Sequence, residues 1–114
     1  MIAALEDRLA RLCSSGETIT YGALARDLGL TGPGTISQLA AALEHLMEHD
    51  AAAGHPLRAA IVVGRLNNGL PAPGFFAKAA ALGFEVSDPA EFVARERARL
   101  ASLFAQNRLN PDHG

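Results

Sequence analysis

Residues 18–38 contain two helix starts joined by a tight turn, in the sequence TITYGALARDLGLTGPGTISQ. Thr20 can accept a hydrogen bond from the first turn of a helix that we predict over residues 21–28. Gly29 can adopt the left-handed conformation that commonly ends a helix. Residues 31–34, TGPG, are too rich in glycine and proline to continue it. The stretch therefore predicts a helix, a tight turn and the start of another helix.

The helix after the turn is predicted to be the longer one and to begin at a capping box. Thr35 and Gln38 have the spacing of that motif, in which each side chain bonds the other residue's backbone amide. An apolar stripe at helical spacing follows, made of Ile36, Leu39, Leu43, Leu46 and Met47. Periodicity and end signals predict three further helices, over residues 2–14, 75–82 and 89–106.

Between the two halves of this helical pattern lies a segment with the pattern of a strand. Residues 59–63, AAIVV, form a short apolar run that is typical of a strand covered on both faces. Residues 67–69, NNG, tolerate positive φ, so residues 56–73 are predicted to fold back as a β-hairpin. This element order is that of a winged helix-turn-helix domain. We therefore expect an α+β fold, a winged helix-turn-helix domain with a short β-hairpin and an added C-terminal helix.

Length and composition predict one small domain with a real core. The chain has 114 residues, of which 49% are hydrophobic and 19% charged, and this excludes a disordered protein. We expect a domain over residues 1–106 and a flexible tail over residues 107–114.

The lone Cys13 excludes an internal disulfide and a four-cysteine zinc module. No apolar run reaches the roughly 20 residues of a membrane span. Glu6 and Asp7 stand where a signal peptide would be basic, so a cytoplasmic protein is expected.

Charge is divided unevenly along the chain. The net charge of −2 argues against a protein covered in basic residues for non-specific nucleic-acid binding. Residues 1–54 hold three basic and seven acidic side chains, whereas residues 55–114 hold seven basic and five acidic ones. Residues 51–84 contain three positive charges and no negative one, so an anionic partner is expected to meet that stretch. The predicted nucleic-acid-binding residues are Thr35, Ser37, Gln38, Arg58, Arg65 and Lys78.

Residues 18–29, TITYGALARDLG, resemble the helix-turn-helix entry of the alkylguanine-DNA alkyltransferases and alkyltransferase-like proteins, in which Thr-Tyr-Gly opens the first helix. The resemblance covers roughly the middle third of the chain and implies a winged helix-turn-helix DNA-binding domain. The family's Pro-Cys-His-Arg sequence, which carries its acceptor thiol, is replaced here by residues 56–59, PLRA. Its base-displacing arginine corresponds to Ser37. Alkyl transfer and base flipping are therefore not expected, and neither is a cofactor. Residues 69–76, GLPAPGFF, also resemble a motif of small bacterial proteins, which implies no activity.

A second hypothesis comes from an apolar segment after the predicted hairpin. Its residues are Leu70, Pro71, Pro73, Phe75 and Phe76, and they can form a rigid apolar loop that meets a partner. The same residues can instead fix the loop to the protein's own core. The alternative function is accordingly a protein–protein interaction or self-association module, such as a homodimer, without DNA binding.

One pair of histidines leaves a catalytic alternative to consider. Residues 45–49, HLMEH, match the inverted zinc-peptidase pattern, in which two imidazoles one helical turn apart share a metal. The sequence pattern identifies no third metal ligand, and histidines are common near a helix C-terminus because the macrodipole favours them. We therefore expect no catalytic, cofactor or metal residue.

The first-ranked function is a non-catalytic nucleic-acid-binding or regulatory module with duplex DNA as its partner and no membrane contact.

Overall fold

The computed structural model describes residues 2–109, which form five α-helices, one 3-10 helix and two short strands. In chain order the elements are α1 (Ile2–Ser15), β1 (Ile19–Thr20), α2 (Tyr21–Asp27), α3 (Thr35–Ala53), the 3-10 helix (Arg58–Ile61), β2 (Val62–Val63), α4 (Pro73–Ala81) and α5 (Pro89–Leu109). The strands pair in parallel, with Ile19 beside Val62 and Thr20 beside Val63. The described chain is therefore mostly helical with a small parallel sheet, which is compatible with the expected α+β class.

The short apolar run predicted from the sequence lies at the centre of the core. The 3-10 helix contacts α1, α3 and α5, and α1 also packs against α5. Leucines three or four residues apart bring one face of each long helix to this centre. The buried residues that they and the central run contribute include Leu5, Leu9, Leu39, Leu43, Leu46, Ala60, Ile61, Val62 and Leu100.

The two helices and the turn predicted over residues 18–38 form largely as predicted, with one correction at the start of α3. Thr20 caps α2 by accepting a hydrogen bond from the amide of Ala23 at 3.2 Å. The capping box predicted for Thr35 and Gln38 is wrong, because Gly34 takes the N-cap position at φ +80°. A glycine adopts that left-handed conformation at little cost, so Thr35 becomes the first residue of the helix. Its hydroxyl donates to the carbonyl of Gly32 instead, at 2.7 Å.

The predicted hairpin over residues 56–73 is not formed. Only Val62–Val63 of the apolar run is a strand, and its partner in the described chain is β1 rather than a returning strand. Residues 64–70 turn as a closed loop, in which the amide of Gly64 donates to the carbonyl of Leu70 at 2.9 Å. Pro71 and Pro73 remove two backbone donors just where a returning strand would need them. The turn residues were therefore located correctly and the strand partner was not.

The last two helices match their predictions closely. α4 begins at Pro73 rather than at residue 75, and α5 begins at Pro89 as expected. Asp88 caps the start of α5, where its side chain accepts a hydrogen bond from the amide of Glu91 at 3.2 Å. α5 continues to Leu109, past the predicted end at residue 106, and residues 110–114 of the predicted tail lie outside the described residues. None of the helices in residues 2–109 has the length and apolar character needed to cross a membrane.

Candidate nucleic-acid interface

The first turn of α3 presents polar side chains at the end of the helix where the macrodipole is positive. Ser37 and Gln38 are exposed and Thr35 is half-buried. The first backbone amides of the helix have no acceptor within it, and the N-cap glycine supplies no side chain to satisfy them. These N–H groups and the helix macrodipole together favour an anion at this end. Because residues 28–43 contain no acidic side chain, nothing in the adjacent sequence cancels this preference.

Arg58 lies inside the fold rather than on this surface. Its Nη2 donates to Oδ1 of Asp50 at 2.8 Å, and its Nη1 donates to Oε1 of Glu6 at 3.2 Å. The backbone amide of Arg58 also donates to Asp50, whose side chain is 2% exposed. Burial lowers the pKa of Arg58, but the hydrogen bonds and charges of the two carboxylates outweigh it and raise the pKa overall. We therefore leave Arg58 out of the proposed interface.

Lys78 and Arg65 have different surroundings from each other. Lys78, on α4, donates from Nζ to the Glu48 carboxylate of α3, so its charge is neutralised by an ion pair that joins the two helices. That hydrogen bond lowers the pKa of Glu48. Arg65 is exposed in the loop of residues 64–70 and makes no ion pair with any described residue. Arg26, exposed in the last turn of α2, is likewise without an ion pair within residues 2–109, and the sequence prediction did not include it.

The predicted apolar loop packs mainly onto the protein's own core. Pro71 and Phe75 are buried, and Leu70 and Phe76 are half-buried against the core cluster. The amide of Ala72 donates to the Tyr21 hydroxyl at 3.2 Å, which fixes the loop to α2. Pro73, by contrast, is exposed at the start of α4. The loop therefore uses most of its apolar surface internally.

A small apolar groove remains between α3 and this loop. It has a volume of about 100 Å³, and its walls include Tyr21, Ile36, Leu43, Met47 and Phe75. Ile36 is 49% exposed beside it, which is unusual for a large aliphatic side chain. The pKa of the Tyr21 phenol is raised overall. Burial raises this pKa most, the hydrogen bond from the Ala72 amide lowers it, and the nearby Glu44 charge raises it further.

The histidine pair and the cysteine have no catalytic surroundings among the described residues. The rings of His45 and His49 are exposed and 4.9 Å apart, but no third ligand joins them in the part of the chain described. Cys13 is buried, and this burial raises the pKa of its thiol to about 11. It is therefore protonated at neutral pH and packs in the core as a small apolar side chain.

Comparison with known proteins finds no match among family models, curated proteins or solved structures. The resemblance of residues 18–29 to the alkyltransferase-like entry therefore stays a prediction that depends on those residues alone.

Proposed function

We propose that this protein is a non-catalytic nucleic-acid-binding module, in which the start of α3 meets the phosphate backbone of duplex DNA. We further propose that it is a variant of the winged helix-turn-helix domain, in which the loop of residues 64–70 takes the place of the wing. The observation that carries the proposal is the acid-free start of α3, where Ser37 and Gln38 are exposed and the amides of Thr35, Ile36 and Ser37 have no acceptor within the helix.

The charges on α3 limit how DNA can approach it. Glu44 follows in the middle of the helix, where its charge repels phosphate, whereas the charge of Glu48 is paired with Lys78. Contact is therefore confined to the first two turns, as in helix-turn-helix proteins whose recognition helix uses its N-terminal residues. Arg26 and Arg65 are exposed arginines without ion pairs in residues 2–109, and they are the proposed phosphate contacts.

Few basic contacts imply modest affinity and weak dependence on salt. Each phosphate that a side chain neutralises adds about 0.9 to the salt slope of the binding constant, so two arginines give a slope of about −2. Proteins that rely on many lysines and arginines have a much steeper slope. The proposal thus predicts binding that is clear at low salt and still measurable at moderate salt.

The proposal is tested by fluorescence anisotropy of labelled duplex DNA with the full chain at low and moderate salt. Ser37→Glu places a negative charge in the first turn of α3, where it favours the helix but repels phosphate. We expect it to weaken binding at least about fivefold, since like charges 4 Å apart cost about 1 kcal/mol even in bulk water.

The matched control is Ala90→Glu, which adds the same charge at an exposed first-turn position of α5. It should leave DNA affinity nearly unchanged. Absence of binding by the unmodified protein at low salt would contradict the proposal. Equal losses of DNA affinity in the two variants would instead indicate that DNA contacts a surface other than α3.

A second candidate function is protein–protein interaction or self-association through the apolar groove. It is favoured by the exposure of Ile36 and by the internal ion pairs of Arg58 and Lys78. Ile36→Ser removes apolar surface without changing charge, whereas Ser37→Glu changes charge beside the groove. Sedimentation of the concentrated protein separates the two functions. Self-association that is lost in Ile36→Ser but kept in Ser37→Glu supports the groove, and a strict monomer argues against self-association.

A further inference from the structure

A second cavity lies on the other side of the core, between the end of α1 and the middle of α5. It has a volume of about 220 Å³, more than twice that of the groove beside α3. Its apolar walls are Cys13, Ile61, Leu100 and the two exposed alanines Ala98 and Ala101. The polar residues at this cavity are Arg97, Thr18 and Glu17. The cavity thus combines apolar walls with the side chain of one arginine.

Arg97 differs from Arg58 in having no carboxylate partner. Its Nε donates to the carbonyl of Ala60 at 2.9 Å, and its Nη2 donates to the carbonyl of Gly69 at 2.8 Å. No Asp or Glu side chain in the described part of the chain forms an ion pair with it. A guanidinium carries five N–H donors, so three of them have no protein acceptor in residues 2–109. The two carbonyl bonds hold the group in place without neutralising it.

A half-buried cation without a counter-ion favours an anionic ligand. Burial lowers the pKa of Arg97, which indicates that its charge is partly removed from water. The planar guanidinium fork matches a carboxylate with two parallel hydrogen bonds. The neutral Cys13 thiol and the side chains of Ile61 and Leu100 offer apolar contact to the rest of such a molecule.

The size and the rim of the cavity narrow the class of anion further. At about 30 Å³ for each water-sized group, the cavity has room for a carboxylate with a short apolar tail. Glu17 lies at the rim, where its Oε1 accepts a hydrogen bond from the Ser15 hydroxyl at 2.7 Å. Its negative charge opposes a second charge on the ligand, so a monoanion is favoured over a phosphate dianion.

We propose that this cavity is a binding site for a small monocarboxylate with an apolar tail, with the Arg97 guanidinium as its charge partner. The site is separate from the proposed DNA surface and does not depend on it. A bound carboxylate would neutralise the side chain that joins α5 to the 3-10 helix and to the loop of residues 64–70. Binding is therefore expected to stabilise that junction.

The probe is sodium hexanoate, titrated into the full chain and followed by the NMR signal of the Arg97 side-chain Nε–H group. We expect a saturable shift of that signal and a rise of Tm with hexanoate concentration. Hexanol and inorganic phosphate serve as comparison probes at the same ionic strength. Binding of hexanol as tight as that of hexanoate, or tighter binding of phosphate, would overturn the proposal.

Two variants locate the site. Ala101→Phe fills the cavity from an exposed position on α5 and leaves Arg97 in place, so it should weaken hexanoate binding about tenfold or more. The matched control is Ala94→Phe, at an exposed position on the same helix that does not line the cavity. Its affinity should equal that of the unmodified protein. Equal affinity in all three proteins would place hexanoate elsewhere and overturn the proposal.

Charge is tested at the arginine itself. Arg97→Gln removes the charge, while its amide keeps one donor for a carbonyl, and it should abolish the preference for hexanoate over hexanol. Circular dichroism verifies that the variant is folded. If it does not fold, the Ala101→Phe result and the hexanol comparison still decide the outcome.

Discussion

The two ends of α3 have opposite chemistry although they belong to one continuous helix. Its start carries the exposed side chains of Ser37 and Gln38 and no acidic residue, and its first three amides have no acceptor in the helix. Its last turns hold Glu48 and Asp50, which are committed to Lys78 of α4 and to Arg58 of the 3-10 helix. One end therefore presents a surface, whereas the other end fastens the fold together.

This difference shows why counting charges along the sequence does not identify which charges are unpaired at the surface. Residues 51–84 contain no acidic residue, but two of their three basic residues pair with carboxylates from elsewhere in the chain. Charges that pair within the fold contribute little field at the surface. The proposed surface depends instead on backbone amides and small polar side chains, which charge counting does not register.

The largest expected effect is at the buried end of α3. Asp50→Ala removes the main partner of the half-buried Arg58 and the acceptor of its backbone amide. Breaking a buried ion pair by removing one partner typically costs about 3–5 kcal/mol. We expect a loss of that size in the free energy of unfolding, measured by urea denaturation. DNA affinity of the folded fraction should be unchanged, because the first turns of α3 are not altered.

The control is Asp27→Asn, which breaks an exposed pair with Arg8 at 2.8 Å. Exposed pairs contribute about 0–1 kcal/mol, so this variant should unfold near the same urea concentration as the unmodified protein. A similar, small loss in both variants would mean that burial of Asp50 does not set the strength of its pair. The contrast between the two ends of α3 would then be lost.

Local sequence signals predicted most of the helices. α1, α2 and α5 begin where the sequence analysis placed them, because periodicity and the caps Thr20 and Asp88 are properties of a few adjacent residues. The strand Val62–Val63 was located, but its partner Ile19–Thr20 lies more than forty residues earlier. Nothing in a short window of sequence identifies such a partner.

The candidate site was predicted only in part, for the same reason. Thr35, Ser37 and Gln38 do lie together at the start of α3. The pairing of Arg58 with Glu6 joins residues separated by 52 positions, so no local pattern could have removed Arg58 from the predicted interface. Arg97 was not among the predicted site residues, and its backbone acceptors Ala60 and Gly69 belong to a distant segment that no local pattern links to α5.

A smaller effect is expected in the middle of α3, between its two ends. Glu44 is half-buried beside the groove and is the first acidic residue after the acid-free stretch. Glu44→Gln removes one charge that opposes phosphate, so DNA should bind about two- to fivefold more tightly at low salt. The gain should disappear at high salt, where exposed charges are screened. Anisotropy titrations at two salt concentrations measure both effects, and weaker binding by this variant would show that the DNA does not approach α3.

The smallest effect is expected at Lys78, and it distinguishes a structural charge from a binding charge. Lys78→Gln removes the partner that lowers the pKa of Glu48. A carboxylate whose pKa is lower in the folded state stabilises the fold above its unfolded pKa, and this contribution is lost as the pH falls through the folded value. The unmodified protein should therefore lose slightly more stability than Lys78→Gln when the pH falls below the ordinary range of a glutamate. Thermal unfolding at neutral and acidic pH measures this difference.

DNA affinity should be nearly the same in the two proteins, because the lysine already pairs with Glu48. If Lys78→Gln instead reduced the salt slope by about one unit, Lys78 would be a phosphate contact, and the acidic end of α3 would belong to the binding surface after all.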